Sequence, residues 1–237
     1  MTASADDELE RQPPDAERVA RRALCLSAVA ARGFLESDAP ADADRHRAGM
    51  VAWLEEHDLL DELEPGERAL LDARVGSLEP QAIVDATWRS EGIAVLAWML
   101  GVAQLPAHDE MVDVAGLTSD LGFLDDASAL DAPRLRSEDE RQWMGDRLLG
   151  LHWRLRDFSL RPEAMDFRAF AADCWFGSFD LEGIPLVDDD LAIDGQAITD
   201  ADPDRRGIAH SIAMERHQAI NWLAGWDAVY SQVDTST

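Results

Sequence analysis

The sequence predicts a mainly α-helical fold, a single helical domain with a small β-hairpin in its C-terminal third. Three observations carry this reading. Apolar residues recur at three- and four-residue steps in one segment after another along the 237-residue chain. One stretch alone, "IPLVDDDLAIDGQAITD", alternates apolar and polar residues around an Asp-Gly turn. No unit of fixed length repeats, which disfavours a solenoid.

The elements follow in order. Residues 1–14 are polar and end in Pro13-Pro14, so a disordered lead is expected there, with one domain over 15–237. Asp15 is placed to cap a helix whose stripe is Val19, Ala23, Leu26 and Ala30, and Gly33 supplies a C-terminal stop. A second helix is expected over about 44–61, with Met50, Trp53 and Leu54 inward. Pro65 stands near the start of a short third helix, and Pro80 opens a longer one that ends at Gly101. From Gly101 to about Pro133 the periodicity weakens to loop, with one short helix from Asp109. Ser137 and Glu140 form an S-x-x-E capping box for a helix on the stripe Met144, Leu148, Leu151, Leu155 and Phe158. Pro162 begins another, with Met165, Phe170 and Cys174 inward. In the hairpin, Leu191 and Ile193 face inward and Asp194-Gly195 makes the turn. A last helix follows Pro203.

Composition restricts partners more than function. The net charge is −27, which repels phosphate backbones and anionic membranes, so neither nucleic acid nor a membrane surface is expected as a partner. All 21 basic residues are arginine, a usage that fits a high-GC or a salt-adapted host. The N-terminus has acids where a signal peptide carries basic and apolar runs, and no window reaches the length of a membrane span, so a soluble cytoplasmic protein is expected. Cys25 and Cys174 are isolated and read as small buried apolar residues.

Two acids sit where apolar residues belong. In "TWRSEGIAVLAWMLG" helical stepping from Trp88 gives Glu91, Gly92, Val95, Trp98 and Met99. From Ile208 the same stepping gives Ile212, Glu215, Ala219, Trp222 and Leu223. A buried carboxylate needs a partner, and Arg89, Arg216, Arg154 and His152 are the candidates. A pair of carboxylates around a cleft is also the equipment of general acid and base catalysis or, with His152 or His217, of divalent-metal binding. The helical metal signatures HExxH and Glu-x-x-His are absent, so no metal and no cofactor is expected. His46, His57 and His108 lie among charges and are expected to be solvated, whereas His210 and His217 share a helix face two turns apart. Neither a GxSxG nucleophile elbow nor a Walker-type or GxGxxG glycine loop occurs.

Four segments in order, "WRSEGIAVLAWMLG", "LRSEDERQWMGDRLLGLHWRLRD", "DDDLAIDGQAI" and "ERHQAINWLAGWDAV", resemble the bacterial family known as domain of unknown function 4272. The resemblance runs from about residue 18 to the C-terminus and rests on the W-R-x-E, H-W, D-G and E-R-x-x-A-x-N-W elements. It implies a mostly helical domain and no particular activity.

The favoured functional expectation is a binding or accessory protein whose acidic surface engages a basic protein partner, as an inhibitor or immunity-type factor does. The alternative is a hydrolase-like enzyme with Glu91, Glu215 and His152 in a Trp-lined pocket, where Trp88, Arg89, Arg216 and Trp222 are the candidate binding residues. A module for self-association is a third reading, and the oligomeric state is left open.

Overall fold

The computed structural model describes residues 12–38 and 41–237. The expected N-terminal lead therefore lies outside the described residues except for 12–14, whose backbone packs on Gly225. A Cβ at Gly225 would lie 2.7 Å from the Gln12 carbonyl carbon. Eight α-helices and a three-stranded antiparallel sheet make up the described chain, mainly helical as the periodicity predicts. None of the described helices is long and apolar enough to cross a membrane. The chain divides into two compact units, Asp15–Leu105 with Val112–Leu135, and Pro106–Met111 with Arg136–Thr237 and residues 12–14.

The N-terminal unit is built on α1 (Ala16–Asp38), which packs along α4 (Pro80–Met99) in the most extensive helix contact of this unit. Contrary to expectation, Gly33 does not stop α1. A Cβ there would lie 2.9 Å from Thr87 Cγ2 and 3.0 Å from Thr87 N on α4, so the glycine permits the helices to approach. A glycine that does end a helix is Gly101, left-handed at φ 73°, just beyond α4. Helix α2 (Ala43–Glu56) stops short of the expected 61 because Asp58 turns left-handed at φ 55°, and a 3-10 turn, Leu60–Glu62, follows. Helix α3 (Pro65–Asp72) has a Glu64–Glu67 capping box. Helix α5 (Val114–Asp120) begins later than Asp109, where Asp113 accepts the Gly116 N–H as its cap.

The C-terminal unit pairs α6 (Glu138–Leu160), opened by the expected Ser137–Glu140 box, with α8 (Pro203–Leu223). Between them in sequence lie α7 (Phe167–Ala172) and the sheet β1 (Leu186–Val187), β2 (Asp190–Ile193) and β3 (Gln196–Ala197). The predicted Asp194-Gly195 turn joins β2 to β3 with both residues left-handed, at φ 50° and 72°. A second two-residue turn, Asp188-Asp189 at φ 53° and 62°, adds β1, so the hairpin is a three-stranded meander. Phe158, Phe167, Phe179, Leu191 and Ile193 form its core, and the Phe179 ring lies on Gly150 of α6.

Beside that core lies a buried ion pair. Arg154, fully buried, grips Asp190 with two parallel bonds, Nε to Oδ1 at 2.8 Å and Nη2 to Oδ2 at 2.6 Å. Asp190 also accepts the N–H groups of Met165 and Leu191. The charges are thus fully paired, as burial demands.

Candidate functional site

Glu91 is 1 % exposed on α4, and its Oε1 accepts the Val112 N–H at 2.9 Å. It thereby holds the backbone just ahead of the Asp113 cap of α5. Trp88 and Arg89 are half-buried on the same helix. The remaining nominated residues belong to the C-terminal unit. Glu215, Arg216 and Trp222 are buried on α8. Arg216 acts as a clamp on a loop, Nη1 donating to the Pro106 and Ala107 carbonyls at 2.9 Å and Nη2 to that of Glu110 at 2.8 Å. Trp222 meets Tyr230 edge to face at 5.8 Å.

His152, on α6, is brought to two histidines of α8. Its Nδ1 lies 3.0 Å from His217 Nδ1, and its ring centroid is 5.6 Å from that of His210. The proton positions follow from the next partner. Asn221 Nδ2 donates to the Asp234 carbonyl and to His217 Nε2, each at 3.1 Å. His217 Nε2 is then an acceptor, so His217 carries its proton on Nδ1 and donates it to His152 Nδ1. Burial holds both rings neutral, pushing His152 down to about 3 and His217 down to about 4. For His152 the neighbouring His217, His210 and Arg156 add to the effect, whereas Asp234 opposes it at His217. Spacing of seven places His210 and His217 on one face, but only the packing of α6 supplies the ring between them. His108 departs from expectation: it is 6 % exposed, and its Nε2 lies 2.8 Å from the Ala192 carbonyl. Of the cysteines, Cys25 is buried and Cys174 half-buried, and both are free thiols.

The largest concavity among those described lies in the N-terminal unit, a groove of about 970 Å³ bounded by α1, α2 and α5. Its walls are apolar, including Phe34, Met50, Trp53, Phe123 and Leu124, with Glu56 and Asp113 among the polar groups around them. Trp53 is fixed as a wall, its Nε1 donating to the Asp125 carbonyl at 3.0 Å and its ring meeting Phe123 edge to face at 5.2 Å. Arg45, also there, is ion-paired with Asp42.

Two details of the groove have no explanation in the packing. Leu124 is 50 % exposed and left-handed at φ 60°, a conformation that disfavours a bulky side chain. Gly49, on α2, has nothing within 4 Å of where a Cβ would stand. Sequence reasoning missed Phe123 and Leu124 because they stand in an aperiodic segment; the signal was an apolar pair between Gly122 and Asp125-Asp126.

The fold and this groove define a mainly helical protein with an open apolar cleft in an acidic chain. By its sequence the chain belongs to the family described as Domain of unknown function (DUF4272), whose model matches residues 2–168. The match includes the groove and His152 but ends before the sheet and α8, so two of the four resembling segments lie beyond it. No curated protein and no solved structure matches the chain.

Proposed function

We propose that this protein is a binding protein, and that its groove receives an amphipathic helical segment of a basic protein partner. The observation that carries this is the groove itself, in which Phe34 and Leu124 are 39 % and 50 % exposed beside the buried Trp53 and Met50. Exposed apolar side chains gathered in one concave surface mark interaction sites more often than scattered ones do. A groove between helices fits the mode in which the apolar face of a partner helix supplies anchors at i, i+3, i+4 and i+7. Glu56 and Asp113, within a chain of net charge −27, favour lysine or arginine on the flanks of that helix and speed its encounter. A cytoplasmic partner is consistent with this reading.

The catalytic alternative has less support. The Glu91 carboxylate accepts a backbone N–H and His152 Nδ1 meets His217, and neither residue lines the groove. The test is calorimetric titration of the full chain with two model helices of identical Leu and Phe anchors, one flanked by lysines and one by glutamates. The proposal expects saturable binding of the basic helix, weakened by salt, and at least tenfold weaker binding of the acidic one. Equal binding of both, or of neither, contradicts it.

A further inference from the structure

A second concavity, of about 310 Å³, lies wholly in the C-terminal unit at the N-terminal half of α8. This is the lower end of the size range for small-molecule sites. Leu155, Phe158, Ile198 and Pro203 give it an apolar body, and Arg206 and His210 stand in its wall. Arg206 is the unusual group. Its Nη1 donates to the Ile198 and Ala201 carbonyls and its guanidinium lies 5.3 Å over the Phe158 ring, but no acid pairs with it among the described residues. Acids outnumber arginines 48 to 21 in this chain, so the missing partner does not reflect a shortage. Buried Arg154, by contrast, has both Asp190 and Asp157. Nε and Nη2 of Arg206, which is half-buried, donate to no group among the described residues and stand in the fork geometry that suits a carboxylate.

Gly207 gives a position from which the cavity can be filled. It lines the same cavity inside α8, where glycine costs helix stability. Its φ is not left-handed, and a Cβ there would meet nothing within 4 Å. We propose that this cavity binds a small monocarboxylate with an apolar body, its carboxylate held by Arg206 with His210 beside it and its chain lying against Phe158 and Leu155. Charge complementarity carries the choice: a cationic fork without an acid partner stands at the wall of a mainly apolar cavity. His210 is kept neutral by burial and by Arg156, so it serves as a hydrogen-bonding group rather than a second cation.

The site and the groove of the N-terminal unit are separate, and the proposal does not rest on the binding of a helical partner. The experiment is calorimetric titration of the full chain with hexanoate, and with hexanamide as its uncharged match. Hexanoate is expected to bind one to one and hexanamide at least tenfold more weakly. Arg206→Gln should weaken hexanoate at least tenfold. Because Arg206 also holds two carbonyls, a second variant guards against misfolding. Gly207→Leu fills the cavity from a position with free space around it, and should lose hexanoate binding while melting no lower than wild type. No saturable hexanoate binding at millimolar concentrations, equal affinity for hexanoate and hexanamide, or wild-type affinity in Gly207→Leu would each overturn the proposal.

Discussion

His152 and His217 share one proton across 3.0 Å, Nδ1 to Nδ1, in the packed face between α6 and α8. Both rings are neutral when folded, at about 3 and about 4, whereas an unfolded histidine takes up its proton near pH 6.5. The unfolded state therefore binds more protons below pH 6.5. Stability is fully present above that value and falls as pH drops toward the folded values, by about 2 kcal/mol per histidine between pH 6.5 and 5. Urea unfolding at pH 7.5 and pH 5 measures this, and His152→Gln should flatten the fall. A pH-independent midpoint across that window would contradict the assignment of neutral rings.

The Arg154–Asp190 pair makes a sharper stability prediction. Asp190→Ala leaves a guanidinium buried without its main counter-charge and should cost about 3–5 kcal/mol. Asp190→Asn keeps an acceptor for Met165 N–H and should cost less. Chemical unfolding of the two variants ranks them, and equal losses would mean that the acceptor kept by asparagine contributes little and that loss of the charge carries the cost.

The elements legible in the sequence are those specified locally. Pro80 and Gly101 bracket α4, Ser137 and Glu140 start α6, and Asp194-Gly195 makes a turn because only residues that tolerate positive φ fit it. Gly33 shows where local reading fails: the same residue that stops one helix permits another to pack, and Thr87 on the facing helix decides which. The Asp188-Asp189 turn lacks glycine and so was not legible as a turn. In the candidate sites, the buried acids Glu91 and Glu215 could be read from their stripe. The partner of Glu91 could not, since the amide it holds is 21 residues away, and neither could the His152–His217 contact, whose rings are 65 residues apart. His108 was misread because neighbouring charges in sequence say nothing of the strand carbonyl of Ala192 that it meets.

Gly150 tests the packing of the C-terminal core. A Cβ there would lie 2.7–2.8 Å from Phe179 ring carbons, so Gly150→Ala should destabilise by about 1–3 kcal/mol, although alanine is the better helix former. A gain in melting temperature would show that the ring moves aside freely.

The bond from Val112 N–H makes Glu91 a support for the backbone ahead of α5. Glu91→Gln retains an oxygen to accept the Val112 N–H and should fold close to normally, whereas Glu91→Ala deletes that acceptor and should cost about 1–3 kcal/mol. Thermal melts of the pair decide between this and a solvent-facing catalytic carboxylate, for which both variants would melt at or above the wild-type temperature.

The groove between α1, α2 and α5 is the centre of the functional account, and Gly49 offers the most direct access to it. A Cβ at Gly49 meets nothing, and leucine is a better helix residue than glycine, so Gly49→Leu occupies the groove without disturbing the fold. The measurement is the affinity of the lysine-flanked model helix for wild type and Gly49→Leu, taken with the melting temperature of each. The account predicts affinity at least tenfold lower in Gly49→Leu, with an equal or higher melting temperature. Unchanged affinity in a folded Gly49→Leu would contradict it.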